Sequence, residues 1–177
     1  FFFQPQPGIR DSSTSRGLGD VYKRQHERSG IAGVARSKKA IERIKQIAAS
    51  EMSYGEPLIQ DPAFIRKIAD AELELTALEY TELRTLAKDS AGKGPGAESS
   101  ILKIKGTDLQ QRVTELAMEA VGYYANPHIG TSLSNEFVGP DYATNLSGTY
   151  FNFRKASIYG GSNEIQRNII AKMVLGL

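Results

Sequence analysis

From residue 26 onward, apolar side chains recur at helical spacing and there is little strand signal. Ile31, Val34, Ile41, Ile44 and Ala48 fall at steps of three, four and seven, which predicts a helix from about Gly30 to Glu51. Arg36, Lys38, Lys39, Glu42, Arg43 and Lys45 fill its other faces, and Ser53-Tyr54-Gly55-Glu56-Pro57 ends it. The second helix has a marked start. Asp61 can accept the free N–H groups as N-cap, and Pro62 suits the first helical position. It is predicted to run to about Ser90, with Phe64, Ile68, Ala71, Leu75 and Leu78 on one face. Leu73, Tyr80 and Leu83 widen that surface sideways, as for a helix with two neighbours.

Gly92-Lys93-Gly94-Pro95-Gly96 stops this helix. The cluster lacks the spacing of a phosphate loop and follows no strand, so a helix-ending turn is the better reading. A third helix is predicted from about Ala97 to Tyr123, with Ile101, Ile104, Leu109, Val113, Leu116 and Ala120 inward. The polar stretch Asn126 to Ser147 is long for a bundle connection, and suits a lid, an interface loop or a partly disordered segment. A short helix over about Gly148 to Ile158 leads to a glycine pair. A last helix, Ser162 to Leu175, is predicted to turn Ile165, Ile169 and Met173 inward. Long amphipathic helices joined by turns predict an all-α, up-down-up-down four-helix bundle.

The 177 residues suffice for one domain, or a domain with a tail, and 40% are hydrophobic, enough for a core. Twenty-two basic and twenty acidic residues leave a formal charge of +2, without the basic excess of a nucleic-acid binder. With no cysteine, disulfides and thiolate metal sites are excluded. His26 and His128 are too few and too far apart in sequence to argue a metal site. No apolar run approaches the ~20 residues of a membrane helix. No signal segment is recognised, which leaves the cytoplasm as the default expectation.

Residues 1–25 are set apart from the bundle domain, 26–177. Residues 8–25, GIRDSSTSRGLGDVYKRQ, show neither period and resemble the conceptual translation of a sequencing-library adapter. The alternative is a disordered basic tail. The chain begins at Phe1. The true polypeptide is therefore expected to continue upstream of His26.

The most informative segment is the last: Ser157-Ile158-Tyr159-Gly160-Gly161-Ser162-Asn163-Glu164-Ile165-Gln166-Arg167. Glycines let a backbone approach a bound molecule, and a helix start offers free N–H groups to a polarised oxygen. This segment resembles the C-terminal signature of the acyl-CoA dehydrogenase family, Tyr-Glu-Gly-Thr/Ser followed by a Glu/Gln-Ile-Gln-Arg helix. The resemblance covers residues 26–177 and corresponds to the family's C-terminal bundle. It does not extend to the family's N-terminal helical and middle β-domains. It implies FAD as cofactor, an acyl-CoA thioester as substrate, α,β-dehydrogenation as reaction, and an electron-transfer flavoprotein or similar acceptor as partner. It also implies other dehydrogenase subunits.

Gly160 stands where most members keep their catalytic glutamate. A minority, including isovaleryl-CoA dehydrogenase-like enzymes, carry the base instead in a Glu-Arg pair at the start of this domain's first helix. Glu27 of Glu27-Arg28 stands there, so the resemblance implies Glu27 as base. The plain alternative is a solvated carboxylate at a helix entry. Gly160 keeps its N–H, which the family aims at the thioester carbonyl, and its missing side chain leaves room for a bulky or branched acyl group.

Ser162 and Glu164 match family positions that touch FAD. Ser53-Tyr54-Gly55 resembles the Thr-Phe-Gly turn that reaches a neighbouring subunit's flavin. Two residues before Ser53, Glu51 replaces the family's usual Arg. Arg167 is read as a phosphate or subunit anchor or as a solvated helix residue. Tyr123 replaces one of a Gly-Gly pair, so adenosine contacts are not carried over to Gly122-Tyr123-Tyr124. Tyr150-Phe151-Asn152-Phe153 is read as core or subunit packing, or as a pocket wall. Two function classes follow: the C-terminal part of an FAD-dependent acyl-CoA dehydrogenase, inactive alone, or a non-catalytic bundle subunit of a heteromeric one.

Overall fold

The structure is a computed structural model and describes residues 32–92, 96–127 and 139–176. It is the expected all-α bundle. Helix α1 spans Val34–Ser50, α2 Pro62–Ser90, α3 Glu98–Val121, α4 Leu146–Phe153 and α5 Asn163–Ile170. A five-residue π-helical turn, Ala171–Leu175, extends α5. Between α1 and α2 lies a small antiparallel hairpin, β1 Met52–Ser53 and β2 Glu56–Pro57. Helix α3 is the hub and packs against each of the other four helices.

The apolar stripes of α1 and α2 are buried as the spacing predicts. Ile41, Ile44 and Ala48 of α1 and Phe64, Ile68, Ala71, Leu75 and Leu78 of α2 meet Leu102, Leu109, Val113, Leu116 and Ala120 of α3. Each large apolar side chain buried this way contributes roughly 1.5–3 kcal/mol. Asp61 caps α2 by accepting from the N–H groups of Ala63 at 2.8 Å and Phe64 at 3.4 Å. At its far end Gly92 takes φ 70°, the left-handed turn that stops a helix. Lys38–Glu79 and Lys45–Glu72, each at 2.6 Å, bridge α1 and α2. Partly exposed pairs of this kind are worth about 0–1 kcal/mol, so the apolar contacts dominate the pairing.

Three expectations need correction. The expected first helix is interrupted at Gly33, which adopts φ 63° between a helical Ala32 and the regular helix from Val34; Gly30 and Ile31 lie outside the described residues. That break carries the backbone of Ala32 onto α3 at Gly106. A Cβ on Gly106 would lie 2.6 Å from the Ala32 Cα, and the Gln110 side-chain amide donates to the Ala32 carbonyl at 3.1 Å. Ile101 is 40% exposed rather than inward, because the buried side of α3 there is taken by Ser100, Leu102 and Lys103. The last helix is turned over. Ile165 and Met173 are each 55% exposed and Ile169 is half-buried, whereas Asn163 and Gln166 are buried.

The broad surface expected of α2 is present, and the described residues leave it open: Leu73, Tyr80, Leu83 and Leu86 are exposed. An apolar face of this size marks an interaction surface or an aggregation liability. Purified as it stands, the chain is expected to self-associate in sedimentation velocity, and a monodisperse monomer would contradict this. The Gly106 crossing makes a separate stability test. Gly106→Ala gains up to ~1 kcal/mol in helix propensity. The contact with Ala32 is with backbone that cannot swing aside, so overpacking of roughly 1–3 kcal/mol should win and lower the melting temperature.

Candidate functional site

The glycine turn is built from the residues on either side of it. After α4 the chain tightens into a 3-10 turn, Arg154–Ser157, and the N–H groups of Ile158 and Tyr159 both donate to the Lys155 carbonyl. Gly160 and Gly161 then take φ 68° and 88°, and Ser162 opens α5 as its N-cap, accepting from the Ile165 N–H at 3.4 Å. Two successive positive φ values at exposed positions suit glycine and would strain other residues. Among the described residues no hydrogen bond is made by the N–H groups of Gly160, Gly161 and Ser162. Unpaired N–H groups leading into a helix start are donors of the kind that can receive an anion or a developing oxyanion.

Glu164 sits one residue beyond, exposed. Its own backbone N–H holds its carboxyl below the usual glutamate range, with the Ser162 hydroxyl and then the Arg167 and Lys103 charges acting the same way. Arg167 lies 3.8 Å from Glu164 and is itself exposed.

A polar stripe on α3 holds the turn. Ser100, Lys103, Thr107, Gln111 and Thr114 follow one another at steps of three and four, on one side of the helix. Lys103 has no exposed surface. Its ammonium donates to the carbonyls of Ala156 at 3.3 Å and Ser157 at 3.0 Å and to Asn163 Oδ1 at 2.7 Å. Thr107 Oγ1 donates to the same Oδ1 at 3.3 Å, and Asn163 Nδ2 donates to Asp108 at 3.2 Å. Ser100 Oγ donates to Gln166 Oε1 at 2.8 Å. Gln111 Nε2 donates to the carbonyls of Phe153 and Arg154 at 3.3 and 3.1 Å. Arg154 returns the contact. It donates to Glu115 at 2.7 Å, to the Gln111 carbonyl at 2.9 Å and to Thr114 at 3.0 Å, and lies 4.3 Å above the Tyr150 ring.

The other cofactor candidates lie on a different element. Ser53 and Tyr54 belong to the β1–β2 hairpin. Tyr54 and Gly55, at φ 53° and 92°, form its two-residue tip, and the Tyr54 side chain is fully exposed. Positive φ at both central residues is what the tightest hairpin turn demands, at some cost for a tyrosine. Among the described residues no hydrogen bond or ion pair joins this hairpin to the glycine turn. Glu51, at the hairpin's base, accepts from the Tyr142 hydroxyl at 2.8 Å, and this contact pushes the Tyr142 pKa up.

The aromatic run before the turn divides. Phe151 is exposed, edge-on to Tyr150, whereas Phe153 lines a cleft of about 180 Å³ with Arg36, Ala40, Val113 and Thr149. Glu27, His26 and His128 lie outside the described residues. Among the described residues no cluster of His, Asp and Glu suits a metal ion, and no helix is long and apolar enough to cross a membrane.

The lysine-centred stripe and Arg154 were not anticipated from the sequence. The available signal was polar residues at helical spacing inside a helix that is apolar on its remaining sides.

The architecture is thus an all-α bundle whose final helix is entered through a positive-φ glycine pair. The model of the acyl-CoA dehydrogenase C-terminal domain matches residues 21–175, and the chain belongs to that family. It is 36% identical over 117 residues to the acyl-CoA dehydrogenase IpdE1 of Mycobacterium tuberculosis, covering 66% of this chain and 27% of that protein. The chain thus spans about a quarter of that relative's length. The fold is shared with butyryl-CoA dehydrogenase from Megasphaera elsdenii, with TM-score 0.71 at 19% identity over 88% of this chain and 37% of that one. It is also shared with the ChsE4-ChsE5 complex from Mycobacterium tuberculosis, with TM-score 0.65 at 23% identity over 81% of this chain and 36% of that one.

The cap of α5 yields a two-part test. Ser162→Ala should cost about 1 kcal/mol of local stability, read as faster amide exchange at Ile165 than in the native chain. The Glu164 carboxyl should titrate below its ordinary 4.5 by NMR. Because its folded pKa is depressed, its contribution is complete above the ordinary value and is lost as pH falls through the lower one. A midpoint at or above 4.5 would refute this account of the cap.

Proposed function

We propose that this chain is the C-terminal bundle of an FAD-dependent acyl-CoA dehydrogenase that removes hydrogen across the α,β bond of an acyl-CoA thioester. The observation that carries this reading is the run of unpaired N–H groups at Gly160, Gly161 and Ser162, in a chain of this family. The chemistry asks for donors aimed at the thioester carbonyl, so that charge developing on its oxygen is stabilised. The Gly160 N–H is the donor assigned that task. FAD, when bound, accepts the hydride that leaves the β-carbon.

The residues present suit such a cofactor. Ser162 and Glu164 offer polar groups beside the donor run, and the Tyr54 side chain, fully exposed at the hairpin tip, would reach the flavin of another subunit. Glu51 is occupied by Tyr142 and presents no cation to a pyrophosphate, so that family contact is left out of the reading.

Gly160 has no carboxylate, so the α-proton needs another base, and Glu27 is assigned that role. Gly160 carries no side chain, which would leave room for a bulky or branched acyl chain. An electron-transfer flavoprotein or similar acceptor would reoxidise the cofactor, and further dehydrogenase subunits would cover the exposed face of α2.

A second reading has its own support. With no carboxylate at position 160 and a broad apolar face on α2, the chain would serve as a non-catalytic bundle subunit in a heteromeric dehydrogenase. Glu27→Gln in the flavin-loaded protein carrying this chain separates the two. Loss of a positioned base should slow flavin bleaching by acyl-CoA about 10²–10⁴-fold with flavin content unchanged. Bleaching at the native rate would remove Glu27 from the mechanism and favour the subunit reading.

A further inference from the structure

We propose that Lys103 is a positioning residue for the glycine turn, tying both of its ends to α3 through a single buried ammonium. For its catalytic consequence this rests on the dehydrogenase reading above; the positioning itself does not.

The geometry is specific. The turn leaves the 3-10 segment after Ser157 and enters α5 at Asn163. The carbonyls of Ala156 and Ser157 lie just before it, and Asn163 Oδ1 lies at its exit. All three accept from the same Nζ. The run of residues 158–162 is thus a short loop whose two ends meet at one point charge. A second tie runs parallel to it. Ser100, one turn earlier on α3, donates to Gln166, one turn later on α5. The Gln166 side chain in turn sits under Gly161, where an added Cβ would come within 2.7 Å of its Nε2. The donors at 100 and 103 face acceptors at 163 and 166, so the same three-residue step on both helices sets the register between them.

An ammonium is a poor choice if stability alone were at stake. Taking a charge out of water is costly, and burial pushes the Lys103 pKa down, although Asp108 and Glu164 pull it back. Its three donors, however, can satisfy three separate oxygens at once, which an apolar residue or a hydroxyl cannot do. The donor run at 160–162 makes no hydrogen bond of its own among the described residues, so its direction depends on where its two ends are held. An oxyanion donor displaced by about 1 Å loses much of its value, so rigidity here bears on the reaction.

The first arm of the test needs no catalysis. Backbone ¹⁵N order parameters are measured in the native chain, in Lys103→Met and in Asn163→Ala. The native values at Gly160, Gly161 and Ser162 should be rigid, near ~0.85. In Lys103→Met they should fall below ~0.6 while Ile41, Ile68 and Leu116 stay rigid. Should Lys103→Met not fold, Asn163→Ala, which keeps the entry ties of Lys103 but removes its exit tie together with the Thr107 and Asp108 contacts, should loosen Ser162 more than Ile158. Unchanged order parameters in the turn, or an equal fall across turn and core, would overturn the proposal.

The second arm uses the flavin-loaded protein and an aromatic enoyl-CoA whose absorption shifts to the red when its carbonyl is polarised. Lys103→Met should lower kcat at least tenfold with KM within about threefold, and should lose the shift, since removing one oxyanion donor costs about 10²–10³ in kcat. A native protein that gives no shift would count against the dehydrogenase reading and leave the order parameters to judge Lys103. A native shift that the variant retains would overturn the positioning role.

Discussion

A lysine with none of its surface in water must be surrounded by oxygens, and satisfying that requirement shapes the C-terminal third of this protein. Lys103 lies near the start of the central helix α3, and its acceptors come from the end of the 3-10 turn after α4 and from the first residue of α5. Neither segment is long enough to be stable alone; an isolated helix of eight residues does not persist in water. Their conformation is borrowed from α3, through Lys103, Gln111 and Arg154. The wet-looking side chains of α3 thus do for α4 and α5 what its leucines do for α1 and α2.

The same requirement explains why α5 is turned over. Asn163 and Gln166 are the residues that meet Lys103 and Ser100, so they face inward, and Ile165 faces out with the apolar residues of the π turn that follows, while Ile169 and Ile170 are half-buried. Among the described residues, apolar side chains are thus exposed on α2 and along α5 with its π turn. In a domain that makes up about a quarter of its IpdE1 relative, such surfaces are where the rest of a larger assembly would pack.

Function is distributed unevenly over this frame. The glycine turn offers backbone donors and no side-chain acid or base, because Gly160 has none to offer. A dehydrogenation needs both an oxyanion donor and a proton acceptor. The bundle's opening segment, where Glu27 lies, is thus paired in the proposed mechanism with the bundle's closing turn, although the two are far apart in sequence. The hairpin tip is a third contribution. Tyr54 is held at a positive φ, a strained exposed aromatic with no hydrogen-bond or ring partner among the described residues.

Helix positions were legible in the sequence wherever one rule acted alone. The stripe Phe64, Ile68, Ala71, Leu75 and Leu78, the Asp61-Pro62 start and the Gly92 stop all follow from local geometry, and all stand where the spacing put them. The glycine pair and its capped helix were legible for the same reason, since positive φ and N-capping are properties of a few adjacent residues. What periodicity could not supply was the choice between two faces when each was part apolar and part polar. In α5 the apolar stripe alone pointed the wrong way, because the deciding partner, Lys103, lies some sixty positions earlier. The left-handed break at Gly33 and the crossing of the Ala32 backbone over Gly106 were invisible for a like reason: close backbone crossings are made between elements. Sequence by itself determined which segments are helical and where the turn falls. Tertiary structure decided which way the last helix faces and what holds the turn still, because a buried charge selects its neighbours by distance in space rather than by distance along the chain.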